Sequence, residues 1–439
     1  MVLLLAFIVC ASIIGCDEAN TLVDTKSIVF DIEDVTCTES FIRIAYSESL
    51  GERNVVVKRD GATIFSLNGS HIVDTTIADR PLRPSTKYVY RLSIDNTTLE
   101  RTVVTKDTTT HTWSMQTQVF AEPASYLWGV YVVNDSLAYA VGGIYINDTL
   151  YNALEWDGKS WNPMQVQLVV PCNGVLIVPS LECVWGYNGG STFFSDGGSV
   201  ARYAGMKYTT DCRMTALLSG AIYAMYGVDE SDMFVAGKNG TMIHYDGKGW
   251  LKENSSTSLH IKEVAGRKGS LYAVGISSLG DEGIIIKYHN GTWRPHIRTL
   301  TGSTGYTKNG LFNRTLYGSL EGIWVDESDA LYAVGGFAYR YKNERWEYLP
   351  GFPENEVGTL PRNRGYLTDI DGNAHNDILV VGEYGTIRHF NGSTWTSIGG
   401  VDNFPDAETM WQGVSMKGRL CVAIGRRRGE AVLLTMMKK

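Results

Sequence analysis

From Trp113 to the C-terminus, one arrangement of apolar and polar positions keeps returning. A run rich in Val and Ile is followed by an Asp, Asn or Ser turn and then by a strand ending Tyr-Ala-Val-Gly. A glycine turn leads into an alternating Ile-x-His-Tyr strand, and an Asp-Gly pair leads from there into a Trp. Period-two alternation between turn signals reads as short antiparallel strands. Seven copies can be traced, among them WGVYVVNDSLAYAVGG with LEWDGKSW, MYGVDESDMFVAGKNGTMIHYDGKGW, and LTDIDGNAHNDILVVGEYGTIRHFNGSTW.

Four-stranded repeats of about 40–45 residues predict the blades of a β-propeller, here seven-bladed. The last copy, WQGVSMKGRLCVAIG with EAVLLTMM, stops after its third strand. The missing strand is expected in residues 112–119, where Trp113-Ser114 stands in register with Trp395-Thr396. The N- and C-terminal strands would then close the ring as a clasp. In this reading the small residues of Tyr-Ala-Val-Gly let inner strands crowd the axis, and the Tyr and Trp positions fill the space between blades. Two inserts, after Val166 to about Leu181 and after His296 to about Leu316, exceed the repeat and are expected on a face.

The fold class is therefore all-β, and three regions are expected: 1–16, 17–108 and 109–439. Within 17–108 the runs are again short and alternating, as in FIRIAY from Phe41 and NVVVKRDG from Asn54, which predicts a small antiparallel sandwich. Residues 105–110, rich in Thr, read as a linker. Residues 2–15 are apolar and uncharged, the length of a signal-peptide core and short for a membrane span. The run Ile13-Ile14-Gly15-Cys16 resembles the lipobox of bacterial lipoproteins. That resemblance implies cleavage before Cys16, a lipid on its thiol and a membrane-anchored, exported chain; a plain secretory signal is the alternative.

Composition sharpens the class. A net charge of −8, from 47 acidic and 39 basic residues, offers no basic stripe for a phosphate backbone, so nucleic acid is not expected as a partner. Cys172, Cys183 and Cys212 are close enough in sequence to share a blade, and an exported chain can hold disulfides. No Cys-x-x-Cys occurs.

The segment Leu82-Arg-Pro84-Ser-Thr86-Lys-Tyr88-Val-Tyr90 resembles the Leu-x-Pro-x-Thr-x-Tyr-x-Tyr signature of fibronectin type III domains, which implies a fibronectin type III-like β-sandwich acting as a spacer or adhesion module. The propeller copies with the preceding Thr-Thr-Thr-His-Thr-Trp resemble secreted or lipid-anchored seven-bladed propeller proteins of the Bacteroidetes and Ignavibacteria kind. That resemblance implies fold and export, and carries no catalytic residue.

Candidate chemistry is sparse. Asp157-Gly-Lys-Ser-Trp161 and Asp246-Gly-Lys-Gly-Trp250 place Gly directly after Asp and do not match the sialidase Asp-box. Asp229, Glu230 and Asp232, like Asp326, Glu327 and Asp329, recur at repeat turns and read as hairpin geometry. His244 and His389 share one repeat slot, and two histidines on different blades make no metal site without a third ligand. Asp369, Asp371, Asn373 and Asp377 space oxygen ligands like the calcium loops of integrin-type propeller repeats, with Ala374 where those loops use Gly. Calcium is thus the one cofactor suggested, in a structural role.

The leading expectation is a binding or scaffolding protein of the cell envelope or surface that presents a ligand face to a carbohydrate or protein partner. The alternative is a carbohydrate-active enzyme, a hydrolase or lyase, at the channel mouth. It requires carboxylates from different blades to converge away from repeat positions, and Glu182, Asp196 and Asp211 depart enough from the repeat to qualify. A purely structural subunit would instead expose a large apolar patch.

Overall fold

The computed structural model describes residues 28–46, 53–70, 74–169, 174–280, 282–300, 315–317, 319–352, 366–398 and 408–439, in two compact units divided between Lys106 and Asp107. Cys16, Cys172 and residues 301–314 of the second insert lie outside the described residues. Among the described residues, no helix is long and apolar enough to cross a membrane.

The first unit is built of two antiparallel sheets. One orders Ile28–Val35, Ser40–Tyr46 and Asp74–Asp79; the other orders Ala62–Ser70, Arg53–Arg59, Lys87–Ile94 and Thr97–Val104. Alternate residues of each strand face inward, so Phe30, Ile42 and Ile44 meet Val55, Val57, Tyr90 and Leu92 in one core. The Tyr88 hydroxyl accepts the Arg83 N–H at 2.8 Å and pins the proline-containing turn before its strand. Thr105 and Lys106 donate their N–H groups to the Thr86 and Thr36 carbonyls, each at 3.0 Å. The start of the stretch read as a linker is therefore part of this sandwich.

Among the described residues, the second unit contains seven four-stranded antiparallel sheets, one of them extended by the parallel strand Thr315–Tyr317. Their first strands are Tyr126–Asn134, Cys183–Gly186, Ile222–Asp229, His260–Arg267, Leu320–Val325, Leu367–Ala374 and Thr409–Lys417. Each packs against the next and the last packs against the first, which closes a ring around an axial channel. Blades are numbered 1 to 7 in that order. Blade 7 is completed by Trp113–Phe120, which pairs with Glu430–Lys438 from Phe120↔Ala431 to Trp113↔Lys438. The clasp is as the incomplete last repeat predicts. Asp107 and Thr109 are bonded into blade 6: Asn376 Nδ2 donates to the Asp107 carbonyl at 3.0 Å and Thr109 N–H to that of Asn391 at 3.0 Å.

Two features of the repeat work differently from expectation. The Gly of Tyr-Ala-Val-Gly ends the second strand, not the axial one, and lies under a carbonyl of the inner strand. A Cβ at Gly335 would sit 2.0 Å from the Ser319 carbonyl oxygen, and one at Gly142 or Gly237 equally close to Tyr126 or Ala221. Gly335→Ala is expected to cost about 1–3 kcal/mol in urea unfolding, since the clash is with backbone. A cost below about 0.5 kcal/mol would mean that the crossing relaxes freely.

The Trp-Gly pairs are also not one position. Trp128 stands near the start of blade 1's inner strand. Trp185 and Trp324 stand deeper and press on glycines of the following blade, Gly227 and Gly372. The aromatic positions around the Asp-Gly turn form cross-strand pairs within each blade, such as Tyr288 with Trp293 at 5.1 Å and Phe390 with Trp395 at 4.9 Å.

Some of the turn acids serve their own turns. Asp229 and Asp326 accept the Ser231 and Ser328 N–H groups at 2.8 Å, and Asp246 accepts two N–H groups at 2.9 Å. Others bond elsewhere: Glu230 accepts Ser191 Oγ and Arg202 Nη2 of blade 2 at 2.7 Å, Glu327 accepts His375 N–H of blade 6 at 3.0 Å, and Asp232 meets His244 Nε2 at 2.8 Å. Cys183 is a buried thiol. Cys212 is disulfide-bonded, its partner lying outside the described residues.

Candidate functional site

The inner strands enclose an axial cavity of about 800 Å³. In blades 1, 3, 4, 5, 6 and 7 the inner strand carries a β-bulge at one common level, just after its first pairing with the Gly of the second strand. The extra residue is Trp128, Tyr223, Lys262, Glu321, Thr368 and Gln412, respectively, and each lines the cavity at its mouth. Blade 2 contributes Glu182, whose N–H is held by the Ser195 carbonyl at 2.8 Å. A bulge releases one residue from ladder duty and re-aims its side chain, so seven unlike side chains crown a ring of like strands.

The mouth is charged on one side; on the other, the crown residues Thr368 and Gln412 are polar and the rim around them exposes apolar side chains. Glu182, Lys262 and Glu321 come from blades 2, 4 and 5. Burial raises the carboxyls of Glu182 and Glu321, Asp196 adds to the rise at Glu182, and Lys262 moderates both. The Lys262 ammonium also lies 5.3 Å from the Tyr223 ring centroid. Blades 6, 7 and 1 carry the opposite arc. Tyr366, Tyr384, Met410 and Trp128 are 53%, 48%, 39% and 41% exposed, values that leave whole ring faces and a thioether to solvent. Arg426 lies 5.3 Å over the Trp128 ring and pairs across strands with Met410. The first insert adds Val175, Leu176 and Ile177, exposed on a two-stranded ribbon, Leu168–Val169 with Leu176–Ile177.

Below the mouth, the position after the bulge level is small in most blades: Gly129, Cys183, Ala224, Gly322 and Gly413. Blades 4 and 6 place Glu263 and Asp369 there, and Asp371 follows two residues on. Each carboxylate accepts a backbone N–H of the next blade. Glu263 Oε2 takes Ile323 at 2.7 Å, Asp369 Oδ2 takes Val414 at 2.8 Å and Asp371 Oδ2 takes Met416 at 2.7 Å. Asn373 continues the series, accepting Gly418 N–H at 2.9 Å. Alternate side chains of one strand thus act as a false ladder between inner strands that do not pair. The three acids keep some contact with channel water but are walled in on all sides. Burial raises all three, Asp371 to about 6, and the proximity of Asp369 raises Glu263 further.

The four residues of the calcium-loop reading are placed along a strand and its turn. Asp369, Asp371 and Asn373 lie along the extended strand Leu367–Ala374, which spreads alternate side chains by ~6.5 Å, and each serves a different N–H. One ion needs its oxygens at ~2.3–2.6 Å. Asp377 accepts Asn373 Nδ2 at 2.9 Å and is also held by His389 Nε2 at 2.8 Å and by Lys438.

Of the acids that depart from the repeat, Glu182 reaches the mouth with Asp196 near it, whereas Asp211 is paired with Arg213 at 2.6 Å away from the channel. Ser278 and His260 approach to 2.8 Å near the mouth. His260 Nδ1 accepts the Asn239 N–H at 3.1 Å, so its ring proton sits on Nε2 and points at the serine. It is a donor there, not a base.

Of the mouth residues, sequence reasoning singled out Glu182 alone, although a signal exists for the others: once the copies are aligned on the second-strand Gly, the bulge position changes from blade to blade.

Fold and channel define the class: a β-propeller of four-stranded blades with a bulge-lined mouth. No protein-family model matches the chain, and no curated protein matches it. Among solved structures it is similar to YCF48 bound to D1 peptide, at 15% identity over 74% of this chain and 97% of that one, with a TM-score of 0.50. It is also similar to the WD40 repeats of RRP9, at 8% identity over 74% and 100%, TM-score 0.49. A Bacteroides thetaiotaomicron protein of unknown function matches at 11% identity over 94% of this chain and 98% of that one, TM-score 0.41. The likeness to YCF48 agrees with the propeller fold seen in the blades.

Proposed function

We propose that the protein is an exported binding propeller that takes an extended peptide segment of a protein partner across the channel mouth. The observation that carries this is the mouth, where Trp128 of the crown and the exposed rim residues Tyr366, Tyr384 and Met410 lie on blades 6, 7 and 1, and Glu182, Lys262 and Glu321 of the crown on blades 2, 4 and 5. Aromatic side chains supply contact area at small entropic cost, Met adapts to the surface it meets, and fixed charges of both signs set register on a chain that carries both. The propeller of YCF48, similar in fold, is described as bound to a peptide. The sandwich ahead of the propeller, with its Tyr88–Arg83 corner bond, supports the fibronectin type III-like reading, and such a domain would act as a spacer. Lipidation at Cys16 would tether the spacer to the envelope.

The test is a display library of peptides and a panel of polysaccharides, probed with lipid-free protein carrying Cys16→Ser. Peptide retention weakened about tenfold or more by Trp128→Ala, with unchanged thermal unfolding, is the expected result. Retention of polysaccharide alone would replace the ligand class. Release of sugar products would favour the enzyme reading, for which Glu182 and Glu321, both carboxyls raised by burial, are the acids to substitute first.

A further inference from the structure

His389 repeats a device of blade 3, where His244 Nε2 meets Asp232 Oδ1 at 2.8 Å. In blade 6 the equivalent contact joins His389 Nε2 to Asp377 Oδ1 at 2.8 Å. In blade 3 Glu253 stands 3.6 Å from the other ring nitrogen of His244, whereas in blade 6 a third group meets the aspartate itself. His111, two residues before the clasp strand, brings its Nε2 to 3.3 Å from the same Asp377 Oδ1. That nitrogen is buried and makes no hydrogen bond. Asp377 Oδ2 is already occupied, by Asn373 Nδ2 at 2.9 Å and by the Lys438 ammonium. Oδ1 and the two imidazole nitrogens therefore face one another, all within 4.8 Å.

We propose that His111, Asp377 and His389 form a site for a tetrahedral divalent transition metal, zinc above all, that staples the N-terminal segment to blade 6 beside the ring closure. Zinc held at ~2.0–2.1 Å by each ligand sets neighbouring donor atoms ~3.3 Å apart, near the 2.8 and 3.3 Å that separate Asp377 Oδ1 from the two imidazole nitrogens. Two neutral imidazoles and one monodentate carboxylate are a usual donor set for zinc, with water in the fourth position. The 18% exposure of the His111 side chain leaves a way in. Lys438 and Asn373 would serve as the outer partners that hold the carboxylate in its one-oxygen mode. Trp113 packs edge-on against both imidazoles, at 5.7 and 5.3 Å, and fixes their planes. The buried positive charge of Lys438 lowers affinity, so the site is expected to bind more weakly than a four-ligand structural zinc.

The experiment uses the lipid-free chain with Cys16→Ser, stripped of metal. Equilibrium dialysis against zinc should load one ion per chain and raise the melting temperature. Cobalt should give the intense visible bands of a tetrahedral centre. His111→Gln, a change in a partly exposed segment, should weaken zinc binding by roughly tenfold or more while leaving the metal-free melting temperature unchanged. Lys438→Met should keep or strengthen binding. Wild-type protein that takes up no stoichiometric zinc overturns the proposal, as does zinc binding indifferent to His111→Gln. Octahedral cobalt spectra would overturn it as well. None of these readouts depends on the peptide ligand.

Discussion

A chain that begins at Ala121 is expected to lose cooperative unfolding, whereas one that begins at Asp107 should keep the melting temperature of the parent propeller. Removing Trp113–Phe120 strips the outer strand from blade 7 along its full pairing with Glu430–Lys438. It also removes Phe120, which is 6% exposed in the core shared by blades 7 and 1, and a buried Phe alone is worth about 3–5 kcal/mol. The backbone of Glu430–Lys438 would become a free, apolar edge, the kind of template that pairs with other chains. Calorimetry and size-exclusion chromatography on both truncations decide the matter. If the shorter chain melted as a cooperative monomer near the parent temperature, ring closure would rest on inner-strand packing and not on the clasp.

Glu263→Gln is expected to unfold at a higher urea midpoint than the wild type at pH 8, and at nearly the same midpoint at pH 5. Burial raises the Glu263 carboxyl in the folded ring above its unfolded value of about 4.3, with the Asp369 carboxyl beside it adding to the rise. A carboxyl raised by folding contributes its full share below the unfolded pKa, and that share is lost as pH climbs through the folded one. Amide for carboxyl keeps the acceptor for Ile323 N–H and removes the charge. The gain should therefore open between about pH 5 and 8 and reach on the order of 1–2 kcal/mol, because channel water softens the penalty. The comparison must be between the two proteins. Burial lowers His296 to about 4, so folding favours its neutral form; its share is present above an unfolded pKa of about 6.5 and lost on acidification, the opposite slope. Asp377, which His389 and Lys438 hold below the usual carboxylate range against the effect of burial, loses its share only below about pH 4. Parallel pH curves for variant and wild type would mean that Glu263 is ionised without penalty in the channel.

Much of the architecture was legible because a repeat reports its own geometry. The Asp-Gly and Asn-Gly turns returned at fixed spacing, and Gly247 and Gly392 do take the positive φ that such hairpins need. The truncated last copy and the matching strand at residues 112–119 predicted the clasp, since pairing within a blade is local in pattern even where it is distant in sequence. Local likeness misleads where depth along the inner strand is at issue. Trp128 and Trp185 look alike in the chain but sit at different depths, and only the pairing partner, Gly142 beside Leu127 against Phe193 beside Trp185, separates them.

The candidate sites divide along the same line. Asp369, Asp371 and Asn373 were visible as an alternating row of oxygen donors, but sequence spacing does not distinguish a loop that wraps an ion from a strand that reaches sideways. The register of Leu367–Ala374 against Asp377–Gly382 decides for the strand, and the false ladder to Val414, Met416 and Gly418 then follows. His111 gave no signal at all, because its partners lie more than 260 residues away and meet it only when the ring closes.

The sequence by itself determined the propeller, its repeat and its closure, because strand, turn and glycine preferences act between neighbours and are restated in every copy. Only the tertiary structure decided what stands at the channel mouth and beside the clasp. Those groups are single residues, each placed by a bulge or a crossing in a different blade, and their meeting depends on a circle that no local pattern can describe.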